Sequence, residues 1–153
     1  MLRILVTGMS GTGKSSALVE LARRGFRTVD TDEAGWTIAD PDGGRWWDEE
    51  RIAELFAEEG PTLYVSGTVS NQGRFYDRFD AVVLLSAPAD VLLERLSVRT
   101  TNDYGKSLDE RELILEHVRK VEPMLRATCT HEIDATQPPA DVVERLVEIG
   151  DRR

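Results

Sequence analysis

The chain has 153 residues, 28 of them acidic and 19 basic, which is typical of one soluble domain spanning 1–153 with a net charge of −9. The acidic surplus argues against nucleic acids and anionic membranes as partners, because both attract basic surfaces. The single cysteine, Cys129, cannot form an internal disulfide, and no apolar run approaches the roughly 18 residues of a membrane span, so we expect a cytoplasmic protein.

The first predicted element is a short apolar strand at 2–6, and the sequence Gly-Met-Ser-Gly-Thr-Gly-Lys-Ser follows it at 8–15. This is the pattern G-x-x-x-x-G-K-[ST], whose glycines let backbone N–H groups approach phosphate oxygens. Lys14 supplies a positive charge for the β- and γ-phosphates, and the Ser15 hydroxyl can ligate Mg²⁺. We therefore expect ATP and Mg²⁺ as cofactors. The predicted nucleotide-binding residues are Gly8, Ser10, Gly11, Thr12, Gly13, Lys14, Ser15 and Ser16.

The motif is followed by a predicted amphipathic helix that ends at Gly25, so the phosphate loop lies at a helix N-terminus, where the dipole favours anions. Further strands are predicted at 26–30, 62–66, 80–85 and 130–134. Further helices are predicted at 47–59, at about 88–99, from 107 onward and from 138 onward. The segments 31–46 and 67–79 are predicted as polar connections.

The helix from 107 opens with a capping box, Ser107-Leu-Asp-Glu110, and Pro123 should bend it near its end. Its predicted apolar face carries Leu113, Ile114, Val118, Val121 and Leu125.

The alternation of strands and helices predicts a three-layer α-β-α arrangement, the P-loop NTPase fold, around a five-stranded parallel sheet. In such a sheet, ligands bind beyond the carboxyl ends of the strands. The phosphate loop, Asp30, Ser66 and Asp134 all fall at these ends.

Asp30 and Asp32 form an Asp-x-Asp pattern at the end of the second strand. Beside a magnesium nucleotide, one carboxylate can hold the metal and the other can orient or deprotonate an acceptor hydroxyl. We expect Asp30 to take the metal role, together with Ser15, and both carboxylates to face the acceptor. The alternative is ordinary turn chemistry, since Asp is common after strands and at helix N-caps.

Arg95 and Arg99 are four residues apart and share a helix face, next to a segment at about 99–108 that we interpret as a lid. Guanidinium groups that close over a transferring phosphoryl group neutralise its developing charge. The alternative is a solvated helix face paired with nearby acidic residues.

Arg45, Trp46, Gly67 and Arg74 are further candidates for the acceptor site. Arg74 follows the third strand and can bind an anionic group, and Gly67 can let a ligand approach the backbone closely. Trp46, beside Arg45, can stack on a planar or sugar-like acceptor, although such tryptophans often anchor a loop to the core instead. After the last strand, Asp134 begins a turn where a nucleotide base can rest, or which is a plain connection to the final helix.

With the loop, Val29-Asp30-Thr31-Asp32, the paired arginines and the last-strand turn in this order, the chain resembles the small P-loop kinases. These include adenylate and other nucleoside monophosphate kinases, shikimate kinase and gluconate kinase. The resemblance implies that the first Asp lies near the metal, the second binds acceptor hydroxyls, and adenine lies near the loop from Asp134. The chain also departs from the shikimate-kinase pattern, because Ser66-Gly67-Thr68 replaces a triple glycine and no acceptor-binding arginine is obvious after the second strand, Arg45 being a distant candidate.

The sequence therefore predicts an ATP-dependent phosphotransferase whose acceptor is a hydroxylated metabolite, a nucleoside or a nucleotide. Its predicted catalytic residues are Lys14, Asp32, Arg95 and Arg99. Adenylate-type nucleoside monophosphate kinase activity is one alternative, although two carboxylates would repel a phosphorylated acceptor. A nucleotide-binding regulator with weak ATPase activity is another. The sequence leaves the oligomeric state open.

Overall fold

The computed structural model describes residues 2–98 and 107–151. Its strands, in chain order, are β1 Arg3–Thr7, β2 Arg27–Asp30, β3 Thr37–Ala39, β4 Arg45–Trp47, β5 Leu63–Ser66, β6 Ala81–Ser86 and β7 His131–Asp134. Its α-helices are α1 Lys14–Arg23, α2 Glu49–Phe56, α3 Ala89–Val98, α4 Leu108–Lys120, α5 Glu122–Thr128 and α6 Pro139–Asp151, and a 3₁₀ helix covers Gln72–Arg78.

Five parallel strands form the main sheet in the order β2-β5-β1-β6-β7, and helices pack on both of its faces. This confirms the predicted three-layer fold. The first strand lies at the centre, so the loop that follows it opens at the middle of the sheet edge. Because all five strands run the same way, the turns after β1, β2, β5 and β7 meet on one side.

The segment 31–46, predicted as a loop, contains an antiparallel hairpin of β3 and β4. Trp47, predicted to start a helix, instead ends β4 and is completely buried. Helix α2 begins at Glu49 because the Asp48 side chain accepts a hydrogen bond from the backbone N–H of Arg51 and caps it.

The helix predicted from 107 is two helices, α4 and α5, separated at Val121. Pro123 lacks an N–H and its ring clashes with the preceding turn, so the chain breaks where a bend was predicted. The capping box at the start of α4 is confirmed: the Ser107 hydroxyl accepts from the N–H of Glu110 at 3.2 Å. Leu113, predicted on the apolar face, is 42% exposed, whereas Ile114 is buried.

Two apolar layers enclose the sheet, and alternation along the central strands decides which side chain enters which layer. Ile4 and Tyr64 belong to the layer shared with α1 and α6. Leu5, Val65 and Trp47 belong to the layer shared with α2 and the 3₁₀ helix. The hairpin is therefore fastened to the sheet by the side chain at its end. Across residues 2–98 and 107–151, no helix combines the length and the apolar character needed to cross a membrane.

The packing of α6 against the sheet predicts that replacing Gly150 by alanine lowers the stability of the protein. Alanine normally stabilises a helix relative to glycine by about 1 kcal/mol. A Cβ at Gly150, however, would lie 2.5 Å from the hydroxyl of buried Tyr64, which donates to the carbonyl of Leu146. We expect Gly150→Ala to lower the free energy of unfolding by about 1–3 kcal/mol, measured by urea denaturation.

The matched control is Gly73→Ala, where nothing lies within 4 Å of the added Cβ. It should change the free energy of unfolding by less than about 0.5 kcal/mol. Equal stability of the two variants would contradict the tight packing of α6 on Tyr64.

Candidate active site

Glycine torsion angles shape the loop between β1 and α1. Gly8, Gly11 and Gly13 have φ angles of 150°, 89° and 93°, in the region that favours glycine. A Cβ on Gly8 would clash with the carbonyl oxygen of Leu85. The loop is therefore pressed against the end of β6, and its backbone cannot accept larger residues there.

Lys14 folds its side chain back over this loop. Its Nζ donates to the carbonyls of Gly8 at 2.5 Å and Met9 at 3.2 Å. Burial lowers the pKa of Lys14 to about 8, although the carboxylates of Asp32 and Asp30 act in the opposite direction. Two of its three N–H donors are used by the loop, which leaves one for a ligand.

Asp30 lies at the end of β2, directly beside the start of α1. Its Oδ2 accepts a hydrogen bond of 2.6 Å from the Ser15 hydroxyl, and its Oδ1 accepts one from the backbone N–H of Asp32. Asp32 therefore lies in the turn after the strand, and both carboxylates are close enough to influence Lys14. A hydroxyl and a carboxylate oxygen side by side are the hard ligands that Mg²⁺ prefers, so these residues fit the ion.

A cleft of about 1030 Å³ runs from Asp32 past the phosphate loop to the turn after β7. The loop residues that line it are Ser10, Gly11, Thr12, Gly13, Lys14, Ser15 and Ser16. Ala135, Gln137 and Pro139 line its far end. The structure therefore brings the phosphate loop, the predicted acceptor-binding residue Asp32 and the last turn into one cavity.

The side chain of Asp134 faces its own turn. Its Oδ1 accepts hydrogen bonds from the N–H and the hydroxyl of Thr136, and these bonds lower the pKa of Asp134. The turn after β7 lines the cleft, but through the residues that follow Asp134.

Arg95 contributes to the wall of the cleft. Its guanidinium donates to the carbonyls of Gly11 at 3.3 Å and Ala135 at 2.6 Å, and so joins the phosphate loop to the turn after β7. These bonds use two of the five guanidinium N–H donors, so the others are left for a ligand, and the catalytic role of Arg95 stays a prediction. Arg99 and most of the predicted lid lie outside the described residues.

A second recess, of about 310 Å³, lies between the hairpin and the 3₁₀ helix. We call it the acceptor recess, and it is lined by Trp46, Ser70, Asn71, Gly73 and Arg74. The Arg74 guanidinium lies over the Trp46 ring at 5.1 Å, and its Nη1 pairs with Glu49 at 3.0 Å. The cation here is therefore stacked and already neutralised.

Two other predicted acceptor residues lie apart from this recess. Arg45 lies exposed on β4, and its backbone carbonyl accepts hydrogen bonds from the N–H and the hydroxyl of Ser70. Gly67 is buried, and a Cβ there would clash with the Thr31 hydroxyl. Packing against Thr31 thus accounts for this glycine, in place of the close approach of a ligand.

Asn71 and Gln72 belong to the segment 67–79 that is predicted as a polar connection, and both are only 3% exposed. The Asn71 amide accepts from the N–H of Trp47 at 2.8 Å and donates to its carbonyl at 3.1 Å, so it pairs with the hairpin as a neighbouring strand would. Trp47 also donates from its ring to the Thr31 hydroxyl. Two adjacent amides after an apolar strand were the only sign of this arrangement in the sequence.

A Gly-rich loop between a central parallel strand and a helix, with a lysine and a Ser–Asp pair at its end, defines a P-loop nucleotide-binding site. A family model described as an AAA domain matches residues 4–116. Shikimate kinase 2 of Dickeya chrysanthemi is 32% identical over 95% of this chain and 94% of the relative. The chain belongs to this AAA-domain family of P-loop proteins, and it is a small-molecule kinase, an ATP-dependent phosphotransferase.

Solved structures show how widely this fold is used. A shikimate kinase from Bacteroides thetaiotaomicron has a TM-score of 0.70 at 21% identity and is covered over 99% of both chains. A deoxyadenosine kinase from M. mycoides with bound dATP has a TM-score of 0.68 at 10% identity, with 99% of this chain and 100% of that chain covered. The same architecture therefore supports kinases named for different acceptors, and the fold alone does not identify the acceptor.

The lowered pKa of Lys14 predicts a pH dependence of nucleotide binding. The ammonium form attracts phosphate, so affinity for MgADP should be fully present well below pH 8 and lost as the pH rises through 8. We expect the Kd for MgADP, measured by calorimetry, to rise about tenfold between pH 7 and pH 9. Lys14→Arg is the control, because arginine stays charged in this range. The same pH dependence in that variant would assign the titration to another group.

Proposed function

We propose that this kinase transfers the γ-phosphoryl group of ATP to a hydroxyl of a small hydroxylated metabolite that carries no phosphate. One observation carries the proposal: the Ser15–Asp30 pair adjoins the phosphate loop, and a second carboxylate, Asp32, lines the same cleft. The relatives named shikimate kinase make a hydroxylated carboxylic acid one candidate acceptor. Asp32 faces the same cleft as the loop without forming part of it, so its carboxylate can serve the acceptor.

On the donor side, the loop N–H groups and the remaining N–H of Lys14 bind the β- and γ-phosphates. The base lies toward Ala135 and Gln137, at the far end of the cleft. Arg95 supports this end by holding the loop and the last turn together. Arg99 stays a predicted lid residue that neutralises charge on the transferring group.

Magnesium would be held by the Ser15 hydroxyl and the Asp30 carboxylate, together with phosphate oxygens and water. When bound, it supplies charge neutralisation between the β- and γ-phosphates. The cluster needs no further acidic ligand, since Mg²⁺ in phosphoryl-transfer sites usually has one or two carboxylates.

On the acceptor side, Asp32 orients the acceptor hydroxyl and accepts its proton as the new O–P bond forms and the bond to ADP breaks. Trp46 and Arg74 hold the remainder of the acceptor in the acceptor recess. A phosphorylated acceptor is disfavoured, because Asp30, Asp32 and Glu49 are negative and Arg74 is already paired. The alternative of a nucleoside monophosphate kinase therefore has less support.

Asp32→Asn separates the donor and acceptor roles. We expect the variant to lower kcat by about 10²–10⁴-fold, because general-base assistance is lost, while the Kd for MgADP changes less than about twofold. The measurement is best made at pH 6.5, well below the pKa of Lys14, because removing the Asp32 charge lowers that pKa further.

Asp77→Asn is the control, since Asp77 is exposed on the 3₁₀ helix. It should leave both constants unchanged. An equal loss of MgADP affinity in Asp32→Asn would show that Asp32 belongs to the donor side.

A panel of acceptors tests the substrate class directly. ADP production is measured with shikimate, gluconate, deoxyadenosine or AMP, each at the same concentration, and without acceptor. We expect one of the three phosphate-free compounds to raise turnover by at least about tenfold over the rate without acceptor, and AMP to have no effect. Stimulation by AMP alone would identify a nucleoside monophosphate kinase. Turnover that no acceptor changes would favour a regulator with ATPase activity.

A further inference from the structure

A partly buried chain of hydrogen bonds links the 3₁₀ helix to the phosphate loop. It begins at Gln72, whose Oε1 accepts from the N–H of Val69 at 2.9 Å. Because a backbone N–H can only donate, this bond identifies the oxygen of the amide, and the other atom is the nitrogen. That Nε2 donates to the hydroxyls of Thr7 at 3.1 Å and Tyr76 at 2.9 Å.

The direction of the next bond follows from the far end of the chain. The Thr68 hydroxyl donates its single proton to the carbonyl of Gly8, so in its 3.1 Å contact with the fully buried Thr7 hydroxyl it accepts and Thr7 donates. The Thr68 hydroxyl in turn donates to the carbonyl of Gly8 at 2.7 Å and accepts from the N–H of Gly8 at 3.3 Å. Donors and acceptors therefore follow one another from Gln72 to Gly8, and bonds in such a series strengthen each other.

The chain ends on the carbonyl that also holds Lys14. The carbonyl oxygen of Gly8 accepts from Thr68 and from the ammonium group, and the Gly8 backbone is confined by Leu85 on its other side. With two N–H groups of Lys14 bound to loop carbonyls, the direction of the third is set by where those carbonyls lie. By holding the Gly8 carbonyl, Thr68 therefore helps to set the direction of the third N–H of Lys14, which is left for phosphate.

We propose that Thr68 is a positioning residue for Lys14, and that through Gln72 it connects the acceptor-side segment to the phosphate loop. Ser70, Asn71, Gly73 and Arg74 line the acceptor recess, and Val69 and Gln72 adjoin them in the same segment, so an acceptor bound there lies next to the start of the chain. The inference rests on the proposed function. It assigns Thr68 an effect on phosphoryl transfer without direct contact with substrate.

The protein contains a matched control for this hydroxyl. Thr130 makes the same two bonds to another residue: its hydroxyl accepts from the N–H of Val82 at 2.8 Å and donates to the carbonyl of Val82 at 3.0 Å. Val82 lies near the opposite end of β6 from the phosphate loop. Thr68→Val and Thr130→Val thus remove the same kind of clamp, one at the loop and one away from it.

The variants Thr68→Val, Thr130→Val, Thr68→Ser and Gln72→Met are compared with the wild type. For each we measure the free energy of unfolding, the Kd for MgADP, the steady-state kinetics (kcat and KM) with the best acceptor of the panel, and the lysine NMR spectrum. The chain has only three lysines, Lys14, Lys106 and Lys120, so ¹³Cε-labelled lysine gives few signals, and Lys14→Arg assigns that of Lys14. A held ammonium keeps the two protons on Lys14 Cε inequivalent, and a mobile one makes them converge.

We expect Thr68→Val to lower kcat by about tenfold or more, to keep the Kd for MgADP within about twofold, and to make the Lys14 signals converge. Thr68→Ser should restore both kcat and the separated signals. Gln72→Met, which acts at the other end of the chain, should give the same changes with smaller size. Thr130→Val should lower stability and alter neither the kcat of the folded enzyme nor the Lys14 signals.

The proposal is overturned if Thr68→Val behaves as Thr130→Val does, since Thr68 would then be purely structural. A rise in the acceptor KM alone would also overturn it, because Thr68 would contact the acceptor directly. If Thr68→Val does not fold, Gln72→Met decides: converged Lys14 signals and a lower kcat support the proposal, and wild-type values of both overturn it. A wild-type protein that binds no MgADP or phosphorylates no acceptor refutes the proposed function, and the lysine spectra still decide whether Thr68 holds Lys14.

Discussion

The site depends on the ammonium group of Lys14, which is held partly buried at the edge of the sheet. Two backbone carbonyls of the phosphate loop hold Lys14, and the shape of that loop requires glycine at three positions. Burial of the ammonium group lowers its pKa to about 8. The carboxylates of Asp30 and Asp32 offset part of that cost from the far side. A bound anion would stabilise the buried ammonium further, so this arrangement favours an anionic ligand.

The two carboxylates have different neighbours, and this difference divides the cleft. Asp30 is bound to Ser15 and to a backbone N–H, so its oxygens are oriented toward the start of α1. Asp32 faces the cleft without such constraints among the contacts of the described residues. This difference supports the proposal that the first carboxylate serves the metal and donor phosphates and the second accepts the proton of an acceptor hydroxyl.

Buried side-chain amides and hydroxyls hold the irregular segments at the carboxyl ends of the strands. Asn71 pairs with the backbone of Trp47, Gln72 is linked to Thr68 through Thr7, and Thr68 binds the phosphate loop directly at Gly8. Turns in these places have few backbone partners of their own, and unpaired buried polar groups are costly. Side chains from the neighbouring loop supply the missing partners, so the segment after β5 is bonded both to the hairpin and to the phosphate loop.

Much of this could be predicted from the sequence, because the signals are local. The phosphate loop, the five strands, the capping box at Ser107 and the placement of Asp30 and Asp32 follow from residue spacing within a few positions. The hairpin at 37–47 was missed because its short strands lack a clear alternating pattern and are fastened by buried Trp47.

Only the tertiary structure decided which residues distant in the sequence contact one another around the cleft. Arg95 joins Gly11 and Ala135, which are 84 and 40 positions away, and Gln72 reaches Thr7 across 65 positions. The sequence by itself determined a nucleotide-binding loop at the edge of a parallel sheet, since a phosphate cradle is built from consecutive residues. It could not determine the roles of Arg95, Gly67 or Thr68, because a side chain's role here depends on which turns the sheet order brings beside it.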